Sequence, residues 1–276
     1  MGRTLLALAA DAHANSTLGL CNPEASLPDG QPVSLTKAQQ WLWQCHLDFL
    51  DQVKAAWRPG DRLYGVWAGD GPDINRKTTQ LMTTNPMGAV ELFVATAKPL
   101  LELCEDGGWI LRGTENHDGD AGNLEEMAAR LLGTSHYPAD SKLASCWLLR
   151  LALSGVQVDV THHGPMGRLP WTKTNGLMRV AAEIQDEYVK HGQLPPALAV
   201  QAHNHVFGDT GLNHTVRVIG LPCWQLQTSY GFRVSPRRMT DIGGVLVILD
   251  EGRMEVRPIL FTPQMEDRWT DSRVSS

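Results

Sequence analysis

Short apolar runs that end abruptly in polar clusters recur along this chain. Residues 4–10 run into Asp11-Ala12-His13, and residues 62–68 into Gly69-Asp70. Residues 109–111 lead into a polar segment ending Asn116-His117-Asp118. Residues 156–160 lead into Thr161-His162-His163-Gly164, and residues 197–201 into His203-Asn204-His205. Runs of this length, bounded by turn residues, predict β-strands. Helical patterns lie between them. Thr36-x-x-Gln39 is a capping box; the stretch after it sets Trp43, Leu47, Leu50 and Trp57 near one face and stops at Pro59-Gly60. Residues 86–103 predict a second helix, with Pro99 as a kink or break. Residues 124–132 and 177–191 predict two more, the latter ended by Gly192. Gly107-Gly108 reads as a turn, as does Ser154-Gly155 between strands at 147–153 and 156–160. Further strands are expected at 215–219, 245–249 and 255–261, with Asp250-Glu251-Gly252 turning the last pair. Strand–helix alternation followed by more strands predicts one α/β domain of mixed sheets over residues 1–276, with a frayed polar tail from about 264.

Composition narrows this little. The chain has 276 residues, 42% hydrophobic and 20% charged, which is ordinary for a globular protein. A net charge of −6 argues against a protein that coats nucleic acid, although bound cations would reverse the field locally. Five cysteines, odd in number and widely spaced, predict reduced thiols in a cytoplasmic protein. Arg3 and the run Leu5 to Ala10 loosely mimic a leader peptide, but Asp11 follows at once and the run reads as a buried first strand. No segment has the roughly 20 apolar residues of a membrane span.

The polar clusters carry the chemistry. Asp11, His13, Asp70, Asn116, His162, His203 and His205 supply seven oxygen and imidazole donors from strand ends. Two divalent ions sharing a bridging group need about that many, with positions left for water and substrate. The histidine content favours transition metals over Mg²⁺ or Ca²⁺. Manganese is preferred, with iron, zinc, cobalt and nickel as alternatives. Residues i and i+2 of a strand share a side, so Asp11 and His13 can converge on one ion, and His203 and His205 can reach different ions. Asp70, placed by the Gly69 turn, suits a bridging carboxylate. In Thr161-His162-His163 either histidine can ligate; His162, first after the strand, is preferred, and His163 then faces the substrate.

Taken together, D-x-H, Gly69-Asp70-Gly71-Pro72-Asp73, N-H-D, a strand-end histidine and H-x-H resemble the calcineurin-like metallophosphoesterase superfamily. The resemblance spans residues 11 to 205. It implies a four-layer α/β/β/α sandwich of two mixed sheets flanked by helices. It also implies that Asp11, His13, Asp70 and His205 hold one metal and that Asp70, Asn116, His162 and His203 hold the other. His117 would contact the phosphate and the leaving oxygen, oriented by Asp118. Two departures stand out: Glu115 precedes Asn116, with the nearest glycine at Gly113, and Ala202 stands where the family has glycine before H-x-H. The motifs of protein serine/threonine phosphatases are not intact.

The expected activity is hydrolysis of a phosphate mono- or diester by a metal-bridging hydroxide, on a small phosphate ester or nucleotide. A nuclease of the same superfamily acting on short nucleic acid is the first rival, and a non-catalytic binding module the second. Arg76 is a candidate phosphate contact, against the plainer reading of a solvated loop. Trp171 is a candidate base-stacking or lid residue. Asp73 is read as either a turn residue or part of the motif. Trp41, Trp43 and Trp57 are expected in the core, Cys45 and Cys104 as small buried groups, and His46, His136, His191 and His214 as surface or packing residues.

Overall fold

The computed structural model describes residues 2–75, 80–166, 172, 174–234, 236 and 239–263. Arg76, Trp171 and the expected tail from 264 lie outside the described residues.

Strand β1 (Thr4–Ala9) sets the plan, because both its faces are buried. Its side chains alternate as the pleat requires. Leu5, Ala7 and Ala9 join one core, while Leu6, Leu8 and the following Ala10 join another. β1 lies parallel to β2 (Arg62–Ala68), which lies parallel to β3 (Gly107–Leu111), which in turn pairs with the short β4 (Ser145–Cys146). On its other side β1 meets β10 (Ile242–Asp250), antiparallel, and β10 meets β11 (Arg253–Phe261). The second sheet runs β5 (Leu148–Leu153), β6 (Val156–Thr161), β7 (Leu198–Gln201), β9 (Arg217–Gly220), β8 (Gly208–Asp209). Within it β6, β7 and β9 are parallel, and the two outer pairs are antiparallel.

Three apolar layers join four structural ones. Leu6, Leu8 and Val66 of the first sheet pack with Val158, Val160 and Val200 of the second. Helices α1 (Lys37–Ala56), α2 (Pro86–Leu103) and α4 (Asn123–Leu132) supply Leu42, Phe49, Phe93 and Ala128 to the outer face of the first sheet. Helix α5 (Asn175–Lys190) covers the second with Leu177 and Ala181. The expected α/β/β/α sandwich of two mixed sheets is therefore present.

Local expectations divide. Thr36 and Gln39 form both halves of the capping box. The buried face of α1, however, is Leu42, Cys45, His46, Phe49 and Val53, at helical spacing. Leu47 and Trp57 are 37% and 41% exposed, so Trp57 is not a core residue. Helix α2 runs through Pro99 without ending. A proline leaves the carbonyl four residues earlier without its helical partner; here the Ala95 carbonyl accepts from the Asn22 side chain at 2.9 Å. Gly107-Gly108 is not a turn but the start of β3, and the expected strand at 147–153 is split, since the chain leaves the first sheet after Cys146 and enters the second at Leu148. The N-H-D cluster forms a one-turn helix, α3 (Glu115–Asp118).

Candidate metal centre

Parallel neighbours place their carboxyl ends together. The ends of β1, β2 and β3 meet those of β6 and β7, and their connections are stitched by backbone hydrogen bonds. Asp11 N–H donates to the Gly69 carbonyl (2.9 Å), His13 N–H to that of Asp70 (3.0 Å) and Ala202 N–H to that of His162 (2.9 Å). Among the described residues eight non-glycine residues have positive φ, and five are Asp11 (53°), His13 (43°), Asp70 (51°), His203 (70°) and His205 (55°). This region is uncommon for residues with a Cβ, and such strain persists where the surroundings impose it. Here it turns the side chains away from the strand direction and towards one another.

The donors converge. Asp11, His13 and His205 each offer an atom within 4.8 Å of the other two; so do Asp11, Asp70 and His162, and so do His162, His163 and His203. The Nε2 atoms of His13 and His205 face each other at 3.3 Å. That is the spacing of two imidazoles on one ion with bonds of about 2.1 Å and near-tetrahedral angles. His205 Nε2 also lies 3.2 Å from Asp11 Oδ1. Asp70 is divided: Oδ1 accepts from Thr114 N–H (2.6 Å) and the Thr114 hydroxyl (2.9 Å), while Oδ2 faces His162 Nε2 at 3.2 Å and His203 Nδ1 at 3.9 Å. Asp11 Oδ1 and His162 Nε2 are buried yet make no aligned hydrogen bond. Orphaned donors of this kind, in a set of carboxylate oxygens and imidazole nitrogens, fit divalent transition metals.

His162 is the inward member of its pair. It is buried, and its Nδ1 donates to the Ala68 carbonyl at 2.7 Å, which leaves Nε2 with a free lone pair in the neutral ring. His163 is exposed. Asn116 is exposed and lines the cavity in front of the centre, alongside His117 and His203.

The carboxylate that holds His117 is Asp73, not Asp118. Asp73 Oδ1 lies 2.9 Å from His117 Nδ1, and Oδ2 lies 3.3 Å from His13 Nδ1. One buried carboxylate thus braces a candidate ligand and the candidate acid. Asp118 points inward. It accepts from Gly113 N–H at 2.7 Å and shares a hydrogen bond with the buried Glu125, which accepts from Gly71 N–H at 3.2 Å. A side chain at Gly113 would collide with the carboxylates of Asp70 and Asp118, so the packing requires a glycine three residues before Asn116. Sequence reasoning missed Glu125 altogether. Its only signal was an acidic residue on the buried face of a short helix.

Charges follow burial and partners. Burial alone would lower His162, but the Asp70 carboxylate, with Asp11 behind it, raises it to about 9. His205 is also raised, against burial, by Cys223 and Asp11. His117 is raised, its burial offset by the hydrogen bond to Asp73 and the charge of Asp70. His13 is lowered by burial and by His117. Burial raises Glu125 to about 7; burial and the Glu125 charge raise Asp118. The carboxyl pair therefore retains a proton near neutrality.

No protein-family model matches the chain, and no curated protein matches it in sequence. Solved structures with a related chain trace include a predicted phosphoesterase from Streptococcus pneumoniae (11% identity, 94% of this chain and 90% of that one, TM-score 0.41). A hypothetical protein from Pyrococcus horikoshii matches at 11% identity, 93% and 87% coverage and TM-score 0.46. A 5′-nucleotidase precursor from Thermus thermophilus matches at 13% identity, 95% of this chain and 55% of that one, TM-score 0.42. At these identities and scores the likenesses carry no inference about activity.

Proposed function

We propose that this chain is a metal-dependent phosphoesterase of the calcineurin-like superfamily, hydrolysing small phosphate mono- or diesters at a dinuclear centre. The observation that carries the reading is the convergence of donors from Asp11, His13, Asp70, His203 and His205, all held at positive φ on strand ends. Asp11, His13 and His205 would hold one ion, and Asn116, His162 and His203 the other, with Asp70 between them. Two divalent ions there, manganese by preference, would supply Lewis acidity to the phosphoryl oxygens and a lowered pKa to water.

The chain's own residues do the rest. Asp73 accepts from His117 Nδ1–H, which fixes the ring and leaves Nε2 as the working atom. The raised affinity of His117 for its proton suits it to donate to the leaving oxygen. The backing Asp118–Glu125 pair holds the Gly71 and Gly113 amides, and so the two loops that carry Asp70 and Asn116. No described helix is long and apolar enough to cross a membrane. All five cysteines are free, which supports a cytoplasmic protein.

The test is metal analysis of the purified protein with hydrolysis of p-nitrophenyl phosphate and bis(p-nitrophenyl) phosphate in Mn²⁺. Activity should vanish on chelation and return with metal. A metal-stripped sample that keeps full activity overturns the reading. Cleavage of an oligonucleotide in preference to both esters would replace it with the nuclease.

A further inference from the structure

The cavity in front of the centre holds about 550 Å³. A phosphoryl group fills a small part of such a space; cavities of roughly 300–1,000 Å³ take whole small molecules. Part of its lining is the candidate centre. Most of the rest comes from the segments 225–228, 230–231 and 239–240, which bring Leu226, Tyr230 and Met239 to the same space. This wall is tied to the centre through the backbone. Trp224 N–H donates to the Asp11 carbonyl (3.1 Å) and Leu226 N–H to that of Leu18 (2.9 Å). Thr228 then starts the short helix α6 (Ser229–Val234), accepting from Phe232 N–H at 2.8 Å and, through its hydroxyl, from Gly231 N–H at 3.2 Å.

Tyr230 is 59% exposed, although it borders a cavity with apolar neighbours. The Arg233 guanidinium lies 5.5 Å from its ring centroid, within cation–π range, on the same short helix. An exposed aromatic ring lining the same cavity as the candidate centre is what a stacking partner requires. We propose that Tyr230, with Leu226 and Met239, binds a planar aromatic group carried by the substrate, so that the esters cleaved here are aryl or nucleoside phosphates rather than alkyl ones. The inference rests on the phosphoesterase reading.

Binding of non-hydrolysable phosphonates to the Mn²⁺-loaded full chain, followed by calorimetry, tests it without relying on turnover. Phenylphosphonate should bind about tenfold more tightly than methylphosphonate and measurably more tightly than cyclohexylphosphonate, which has similar bulk but no π-face. Tyr230→Ala should abolish the phenyl advantage and Tyr230→Phe should keep it. Phe232→Ala, an exposed neighbour outside the cavity lining, should keep it too. A nucleoside 5′-phosphonate binding more tightly than phenylphosphonate would assign the aromatic group to a nucleoside. Equal affinities for the phenyl and cyclohexyl compounds, or a phenyl advantage that survives Tyr230→Ala, overturn the inference and leave the phosphoesterase reading intact. If none of the phosphonates binds, the inference falls, and the phosphoesterase reading is decided by the chelation-sensitive ester hydrolysis above.

Discussion

His46 and His162 are buried to the same degree, 0% and 1% exposed, and both touch β2. His46 lies behind the strand, its ring 5.8 Å from that of Trp67 and close to Trp43, Phe49 and Trp224. His162 lies at the carboxyl end, on the Ala68 carbonyl and the Asp70 carboxylate. Their proton affinities part in opposite directions, to about 3 for His46 and about 9 for His162. Burial pushes both down, and only His162 has carboxylates to reverse it. A buried histidine is therefore no sign of function by itself. The sign is a buried histidine with a carboxylate that nothing else neutralises.

The widest break in this comparison comes from removing that carboxylate. Asp70→Ala and His205→Ala should lose bound metal and activity together, down to background, in elemental analysis and ester hydrolysis. A variant that keeps both would show the cluster to be structural. His117→Ala should behave differently, retaining metal while kcat falls by about 10²–10⁴. Asp73→Asn comes next. Because Asp73 braces His13 and His117 at once, metal affinity should fall about 10–100-fold and kcat should fall with it. Asp118→Asn should leave His117 in place and spare the pH profile of kcat, since its contacts are to Gly113 and Glu125. The reverse ranking would restore Asp118 as the orienting residue.

A milder perturbation uses pH. In the metal-free protein, His162 is raised from 6.5 to about 9. A raised pKa stabilises the fold fully below the unfolded value and loses that contribution as pH climbs through the folded one. Metal must displace the same proton. Because His205 is raised too, apparent Mn²⁺ affinity should rise by at least about tenfold per pH unit as pH climbs towards about 9, as calorimetry in buffers of different ionisation heat would show. A flat profile would mean that His162 is neutral before metal arrives and that Asp70 does not govern it.

Most of the candidate centre was legible because most of its donors follow within a few residues of the strand that delivers them. Asp11 and His13 follow β1 directly, and His203 and His205 follow β7, so local pattern and spatial position coincide. The two-core alternation of β1 was implicit in its unbroken apolar run. What failed was judgement between local alternatives that only packing decides. Trp43 and Trp57 drew the face of α1 towards themselves by their size, whereas the seam chosen by the sheet is Leu42, Cys45, Phe49 and Val53. Gly107 and Gly108 carry turn chemistry yet extend β3, where they pair with Tyr64 and Gly65. The family resemblance places the partner of His117 at Asp118, and the structure moves it to Asp73, for a related reason. Asp118 is next in the chain, but one turn of α3 points it inward, and Asp73, remote in sequence, reaches the ring. The Tyr230 wall had no signature, since a cavity wall made of loop and short helix has no period to read.

The smallest effect at neutral pH, and the one that isolates the other half of the comparison, belongs to His46. Both its ring nitrogens are buried without a hydrogen-bond partner, in a core of aromatic rings. Its pKa in the fold is lowered by burial from 6.5 to about 3. The sign is opposite to that of His162. Above about pH 6.5 neither folded nor unfolded chain holds the extra proton and the site costs nothing further. As pH falls, the unfolded chain takes up the proton and the folded one refuses it, so stability erodes by up to about 1.4 kcal/mol per pH unit. Between pH 6.5 and 4.5 that is about 2–3 kcal/mol. His46→Leu removes the titration and two unsatisfied polar atoms, in a space of similar volume. Urea unfolding of both chains in chelator, at several pH values, leaves the carboxylate and imidazole cluster common to the two, so their difference reports His46 alone. The variant should be as active as the parent with metal restored, and its advantage in stability should grow as the pH is lowered. Parallel pH profiles for the two proteins would mean that the folded core admits a proton at His46, and the contrast with His162 would then rest on something other than burial opposed by charge.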